Sequence, residues 1–272
     1  SVDAGMHREI VYLLSDSLIK LERGEDALAV VSSAAGANWV EGANLDQRRL
    51  QLKRAEILET LDRGEEAAAI VAGIAESPDR SAALLLVNYY QRQTRFEAMI
   101  PILRDALDAT PSADEAALEV DLYFSLGMAY ERTGKFSEAD EAFREVLTRE
   151  PEDDRTLNYL GYMWAERGER LDEALSLIER AVAIEPDNPA YVDSLGWAHY
   201  RLGNYDRARD SLEYAARLLP EDATILEHLG DLYVALEFPE KARELYRRAV
   251  ARNDENVEGV RRKLSELGLG GS

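Results

Sequence analysis

Four leucine-glycine pairs recur at a nearly fixed interval, and no other feature of this 272-residue chain restricts its fold as much. The glycines are Gly127, Gly161, Gly196 and Gly230, spaced by 34, 35 and 34 residues, and each follows a leucine (Leu126, Leu160, Leu195, Leu229). A constant period of this size describes one small supersecondary unit copied in series, each copy closing its apolar face against the next. It argues against a globular core built around a catalytic cleft.

Other residue types recur in phase with the glycines. The first clear copy carries Leu126-Gly127, Tyr130, Gly134, Phe136, Ala139, Phe143 and Pro151. The second has Leu160-Gly161, Trp164, Gly168, Leu171, Ala174, Ile178, Ala181 and Pro186, with one extra residue in its turn. The third has Leu195-Gly196, His199, Gly203, Tyr205, Ala208, Leu212, Ala215 and Pro220, and the fourth Leu229-Gly230, Tyr233, Ala242, Tyr246 and Ala249. The pair glycine and the later alanine are small, so two antiparallel helices can approach there. The large residue three positions on fills the space between them. Apolar positions four and seven after the alanine lie on one helical face. Gly134, Gly168 and Gly203 suit a turn with positive φ. Pro151, Pro186 and Pro220 end second helices, and a nearby Asp or Asn can cap the next one. In Asn188-Pro189 the proline takes the first helical turn, where its missing N–H costs nothing. The pattern resembles the tetratricopeptide repeat family over nearly the whole chain. The resemblance implies an all-α tetratricopeptide-repeat solenoid, a right-handed superhelix of helix-turn-helix units making roughly one turn.

The expected organisation is three degenerate units within 1–113 (about 7–41, 45–79 and 80–113), then four units within 114–256 (120–153, 154–188, 189–222 and 223–256). A capping helix over 257–268 and a tail over 269–272 follow. Leu21-Glu22-Arg23-Gly24 echoes Leu61-Asp62-Arg63-Gly64 forty residues on. The stretch 81–111 places Tyr90, Phe96, Met99, Leu103, Ala106 and Pro111 at the expected intervals without the leucine-glycine pair. About six extra residues around Asp114 to Glu119 are expected to lengthen the next helix. Trp39, in a loop from Gly36 to Gly42, is expected to pack onto a neighbouring helix. In the fourth unit Glu237 replaces the turn glycine, Pro239 the aromatic and Asp254 the closing proline. The helix after it sets Val260, Leu264 and Leu267 on one side and Arg261, Arg262 and Lys263 on another, as a polar cap does.

Composition narrows the function. Net charge is −21 and pI about 4.6, a surface that repels phosphate, so nucleic acid is an improbable partner. Lysine is scarce, five of 32 basic residues; a high-salt habitat and a GC-rich genome both fit. No cysteine is present, which removes disulfides, thiolate chemistry and cysteine zinc sites. The longest apolar runs, such as Ala82 to Val87, are far too short to span a membrane. No basic, apolar leader is visible, but the chain opens at Ser1 without an initiator Met, so this says little about its natural compartment.

In the family that this chain resembles, the first helix of each unit lines a concave groove. Carried over, the inward positions are Phe124 and Met128, Asn158 and Tyr162, Asp193 and Trp197, Glu227 and Asp231, with Tyr200 and Glu131 one turn later. In the less regular unit upstream the corresponding residues are Leu84 and Asn88. Two readings of the aromatics among them are open: exposed anchors for a ligand, or packing against the next unit. Asn158 and Asn88 can donate to and accept from an extended peptide backbone. The inward positions hold no lysine, and Asp193, Glu227 and Asp231 disfavour the basic clamp by which some family members hold a terminal carboxylate. Arg92, Arg132 and Arg201 lie near the groove edge. Tyr130, Trp164 and Tyr233 belong to the core, and His199 takes the same slot in a partly buried structural role. Of the other histidines, His7 has no chemical setting, and His228 lies near Glu227 and Asp231 without a metal-site spacing. Ser194 lacks a placed base, and no glycine loop has phosphate-cradling form. No enzyme, cofactor or metal is therefore expected.

The expected function is a protein-binding scaffold or adaptor that takes a peptide or a partner's helix in the groove. The segments Leu157 to Tyr162 and Tyr191 to Gly203 are similar to bacterial members of the family, some of them outer-membrane lipoproteins that serve processing proteases. That resemblance implies a periplasmic or outer-membrane address and an adaptor role for a protease or envelope complex. Self-assembly into a homo-oligomer through incompletely capped ends is the other reading.

Overall fold

A computed structural model of the chain describes residues 2–35, 45–76, 79–110, 112, 115–252 and 257–269. Trp39 and its loop, Pro111, Asp114, Asp254 and the side chain of His7 lie outside the described residues. Among those described there are fifteen α-helices, one 3₁₀ turn and no strand. Fourteen helices pair in chain order: α1 (Val2–Lys20) with α2 (Gly24–Ala35), α3 (Leu45–Thr60) with α4 (Gly64–Ala75), and α5 (Arg80–Arg92) with α6 (Phe96–Asp108). Then come α7 (Glu119–Arg132) with α8 (Phe136–Arg149), α9 (Asp154–Arg167) with α10 (Leu171–Ile184), α11 (Pro189–Arg201) with α12 (Tyr205–Leu218), and α13 (Ala223–Ala235) with α14 (Pro239–Arg252). The last helix, α15 (Val257–Leu269), follows alone. The protein is an all-α helical-repeat solenoid. It divides into two compact units, Ser1–Val146 and Leu147–Ser272, with the division inside α8.

One turn closes all seven hairpins. A residue in the left-handed region follows each first helix: Glu22, Asp62, Thr94, Gly134, Gly168, Gly203 and Glu237, with φ between 48° and 76° among all such residues. The next residue's N–H returns to the carbonyl five positions back, as in Arg23 to Leu18, Arg95 to Tyr90, Lys135 to Tyr130 and Phe238 to Tyr233, at 2.8–2.9 Å. This six-to-one bond satisfies a carbonyl that a helix end would otherwise leave open. The extra residue of the second clear copy is Arg170, also left-handed at φ 48°, with its guanidinium 4.1 Å from the Trp164 ring centroid.

Side-chain oxygens start the first helices. Asp153 accepts from the Thr156 N–H at 2.8 Å, Asn188 from Ala190 and Tyr191, and Asp222 from Thr224 and Ile225, each satisfying a donor of the first turn. The segment before α7 departs from expectation. Residues 116–118 form the 3₁₀ turn instead of lengthening the helix. Glu115 is the reason, because its carboxylate accepts from the Arg80 N–H at 2.8 Å and from Ser112, tying this stretch to the start of α5.

The second helix of one hairpin covers the first helix of the next. Ile70, Val71 and Ile74 of α4 share a core with Ala82, Leu86 and Tyr89 of α5. Met99 and Leu103 of α6 pack with Leu122 and Leu126 of α7, and Ala208 and Leu212 of α12 with Leu226, Leu229 and Leu232 of α13. Within a hairpin the helices meet at the pair glycine. A Cβ added to Gly161 would lie 2.7 Å from Ile178 Cγ1 and 2.9 Å from the Ala174 carbonyl oxygen; even an alanine there would force the helices apart.

Candidate functional site

The first helices carry the expected groove residues, and the two units present them differently. In the first unit, α1, α3 and α5 border an open cleft of about 400 Å³. Tyr12, Leu52 and Leu85 give it apolar walls, and Arg49, Lys53, Glu56, Asn88 and Arg92 complete the lining. The Tyr12 hydroxyl donates to the Arg49 carbonyl at 2.9 Å, which fixes the ring at the mouth. Lys53 lies 2.6 Å from Asp16 and 3.3 Å from Glu56, and Arg92 pairs with Glu56. Asn88 is exposed. Farther along, Phe124 is half-buried with its ring 5.9 Å from Phe143. Met128 is buried and receives a 3.7 Å contact from Gln91 Nε2.

In the second unit the expected anchors pack on one another. Trp197 is only 7% exposed. Its ring stacks on His228 at 4.2 Å and 16°, and on Tyr200 at 4.9 Å and 19°, while its Nε1–H donates to Glu166 at 2.7 Å. Tyr162 approaches the same imidazole at 6.2 Å, and Tyr205 continues the row beyond Tyr200 at 5.8 Å. The reading of Trp197 as an exposed anchor is thereby corrected, because the next first helix supplies a ring that covers it. Met128, Asn158 and Asp193, expected at inward groove positions, are buried as well. Tyr162, Tyr200 and Phe124 keep part of their surface in solvent. The row also reaches past the adjacent unit, since Tyr162 of α9 and His228 of α13 approach each other across α11.

Polar groups follow the aromatic row. His228 Nδ1 lies 2.8 Å from Asp193 Oδ2, both side chains almost wholly buried. Burial pulls the imidazole pKa down, but Asp193, helped by Asp231 and Glu166, outweighs it and holds the group above its ordinary value. The other Asp193 oxygen and Asn158 Oδ1 are buried without a hydrogen-bond partner. Glu227 and Asp231, expected at inward groove positions, are engaged by Lys263 of α15 at 2.7 and 2.6 Å. Asp231 also accepts from the Tyr246 hydroxyl at 2.5 Å. A lysine absent from the inward positions thus arrives from the following helix. His199 is buried, its pKa lowered by burial and by Arg207. No helix of the described residues is long and apolar enough to cross a membrane.

Comparison with known proteins agrees with this geometry. The tetratricopeptide repeat profile matches residues 124–189 and 194–257. A Pseudomonas aeruginosa protein named TPR repeat-containing protein PA4667 is 30% identical over 188 residues, 66% of this chain and 30% of that protein. Protein CTR9 homolog of Arabidopsis thaliana is 33% identical over 98 residues, 36% of this chain and 9% of that protein. The chain therefore spans less than a third of the length of either relative. Among solved structures, a tetratricopeptide repeat protein from Parabacteroides merdae superposes with a TM-score of 0.69 at 15% identity, covering 96% of this chain and 99% of its own. TTC0263, a thermophilic TPR protein of Thermus thermophilus, gives 0.58 at 20% identity over 70% of this chain and 99% of its own. At such identities the likeness is one of fold.

Proposed function

Through residues 124–257 the chain belongs to the tetratricopeptide repeat family, and from that premise we propose that it is an adaptor holding an extended peptide or a partner's helix against its first helices. Repeats of this fold are interaction scaffolds and typically non-catalytic. The division into three looser units, four regular ones and a closing helix is part of this reading. The observation that supports it best is the cleft of the first unit. Apolar walls from Tyr12, Leu52 and Leu85 stand beside exposed Asn88 and a guanidinium at Arg92. An asparagine that both donates and accepts can hold a peptide backbone, and the walls take its apolar side chains. In the second unit the partly exposed rings of Tyr162 and Tyr200 offer a further contact surface, while Trp197 stacks on Tyr200 and Asp193 holds the imidazole of His228 that Tyr162 approaches.

Selection of binders from a random-peptide display library on the intact chain tests the reading. Peptides so obtained should lose at least about tenfold in affinity, or about 1.4 kcal/mol, for the Asn88→Ala/Arg92→Ala double variant. Peptides that bind this variant as tightly as the parent, with the helical spectrum unchanged, would place binding elsewhere.

A further inference from the structure

A second cleft, of about 610 Å³, opens along α7 between α6 and α8. Leu107 of α6 and Tyr123, Leu126 and Tyr130 of α7 give it an apolar floor, and Glu138, Glu141 and Glu145 of α8 form one wall. It lies off the groove positions, which on α7 are Phe124 and Met128. The register shows that the opening is local. Tyr123 stands eleven residues before the left-handed turn residue of its hairpin, the place held in the next three units by Leu157, Val192 and Leu226, all buried. Tyr130 stands four before it, where Trp164, His199 and Tyr233 are buried. Tyr123, Tyr130 and Leu107 nevertheless keep part of their surface in solvent. Tyrosine, apolar along its ring and polar at its tip, suits a surface that is covered only while a partner is bound.

We infer that this cleft is a second docking site, separate from that of α1, α3 and α5, and that it takes an amphipathic helix of a partner protein with lysine or arginine on its flank. Spacing points to a helix. Tyr123, Leu126 and Tyr130 stand at i, i+3 and i+7, and so do Glu138, Glu141 and Glu145, at i, i+3 and i+7 of α8. Each row covers two turns, about 10 Å, the reach of an apolar stripe at i, i+3 or i+4, and i+7 on a partner helix. Charge points to a basic flank. The hairpin sets α7 and α8 antiparallel, so the acids run the length of the floor, Glu145 toward Tyr123 and Glu138 toward Tyr130. All three are exposed. Arg144, the cation of that wall, is engaged by Asp140 at 2.6 Å. On the facing wall Arg104 and Asp108 of α6 offset each other. The field at the cleft is therefore negative and comes from α8, so a partner's cations belong on that side.

Fluorescence anisotropy with three labelled peptides, each about five turns long, tests the inference at about 0.15 M salt, where distant charges are screened. The first carries a leucine stripe at i, i+3 or i+4, and i+7 flanked by lysine. The second has the same stripe flanked by glutamate. The third is the first with a central proline, which breaks the helix. The intact chain should bind the first at least about tenfold more tightly than either of the others. Glu138→Lys/Glu141→Lys should weaken the first peptide at least about tenfold. Asp172→Lys/Glu179→Lys, the same charge change at exposed positions of α10, should leave it within about threefold. In a chain without cysteine, Glu141→Cys should cross-link to a peptide carrying cysteine on its basic flank, and Glu179→Cys should not. No binding of the first peptide, an equal loss in both charge-reversed variants, or cross-linking at both positions overturns the proposal. Equal binding of the proline peptide assigns the cleft to an extended segment and overturns it as well.

Discussion

Replacing Thr94 by glycine should strengthen the first unit, although it removes a side chain. Thr94 sits at φ 56° between α5 and α6, the β-branched member of the seven turn residues. Its side chain is exposed, and its hydroxyl reaches only the adjacent Gln93 carbonyl at 2.7 Å, so little packing is lost. Left-handed backbone costs an L-residue about 1–2 kcal/mol, and β-branching places Thr94 toward the upper end. Glycine removes that cost but gives the unfolded chain about 0.5–1 kcal/mol of extra freedom. The net gain is about 0.5–1 kcal/mol. Urea titrations followed by circular dichroism should show a higher midpoint at unchanged slope. The reciprocal control is Gly134→Ala. Its φ is 75° and an added Cβ there meets nothing within 4 Å, so its loss, about 1 kcal/mol, comes from the backbone alone. A Thr94→Gly protein weaker than the parent by more than about 0.5 kcal/mol, or a neutral Gly134→Ala, would refute the reasoning.

Two further outcomes follow from the packing. Gly161→Ala should destabilise by about 1–3 kcal/mol in the same titration, because the clash with the Ala174 carbonyl is with backbone that cannot rotate away; a loss no larger than that of Gly134→Ala would mean the helices yield there at no cost. His228 should make stability depend on pH. Its folded pKa is raised above the unfolded value near 6.5, so its stabilising contribution is complete below about pH 6.5 and is lost as pH rises through the folded value. Unfolding free energies between about pH 5.5 and 9 should fall across that window in the parent and lose this component in His228→Gln; identical pH profiles would exclude a charged His228–Asp193 pair.

The spacing of leucine-glycine pairs made the fold legible, and the reason is steric: the glycine is where two helices touch. The turns were only partly legible. Gly134, Gly168 and Gly203 were readable as left-handed, whereas Glu237 looked like a departure and Glu22, Asp62 and Thr94 gave no signal. The six-to-one bond dictates that conformation, and it asks only for a backbone N–H. The inward register was legible too, yet register does not reveal what lies opposite. Trp197 is buried because His228, 31 residues later, stacks on it. One signal was present, since Asp193 and His228 are 35 residues apart, one repeat period, and so face each other on adjacent first helices. Lys263 was assigned to a polar face because its partners, Glu227 and Asp231, belong to the preceding hairpin.

The ring of Tyr162 meeting His228 over the top of α11 alters how the second unit comes apart. A string of beads, each holding only the next, loosens from its tip one bead at a time. Here the aromatic row works as a clasp across three beads. Peeling away α13 uncovers Trp197 and strips Tyr162 of its companion in the same event, so α9 through α14 should melt in a single step.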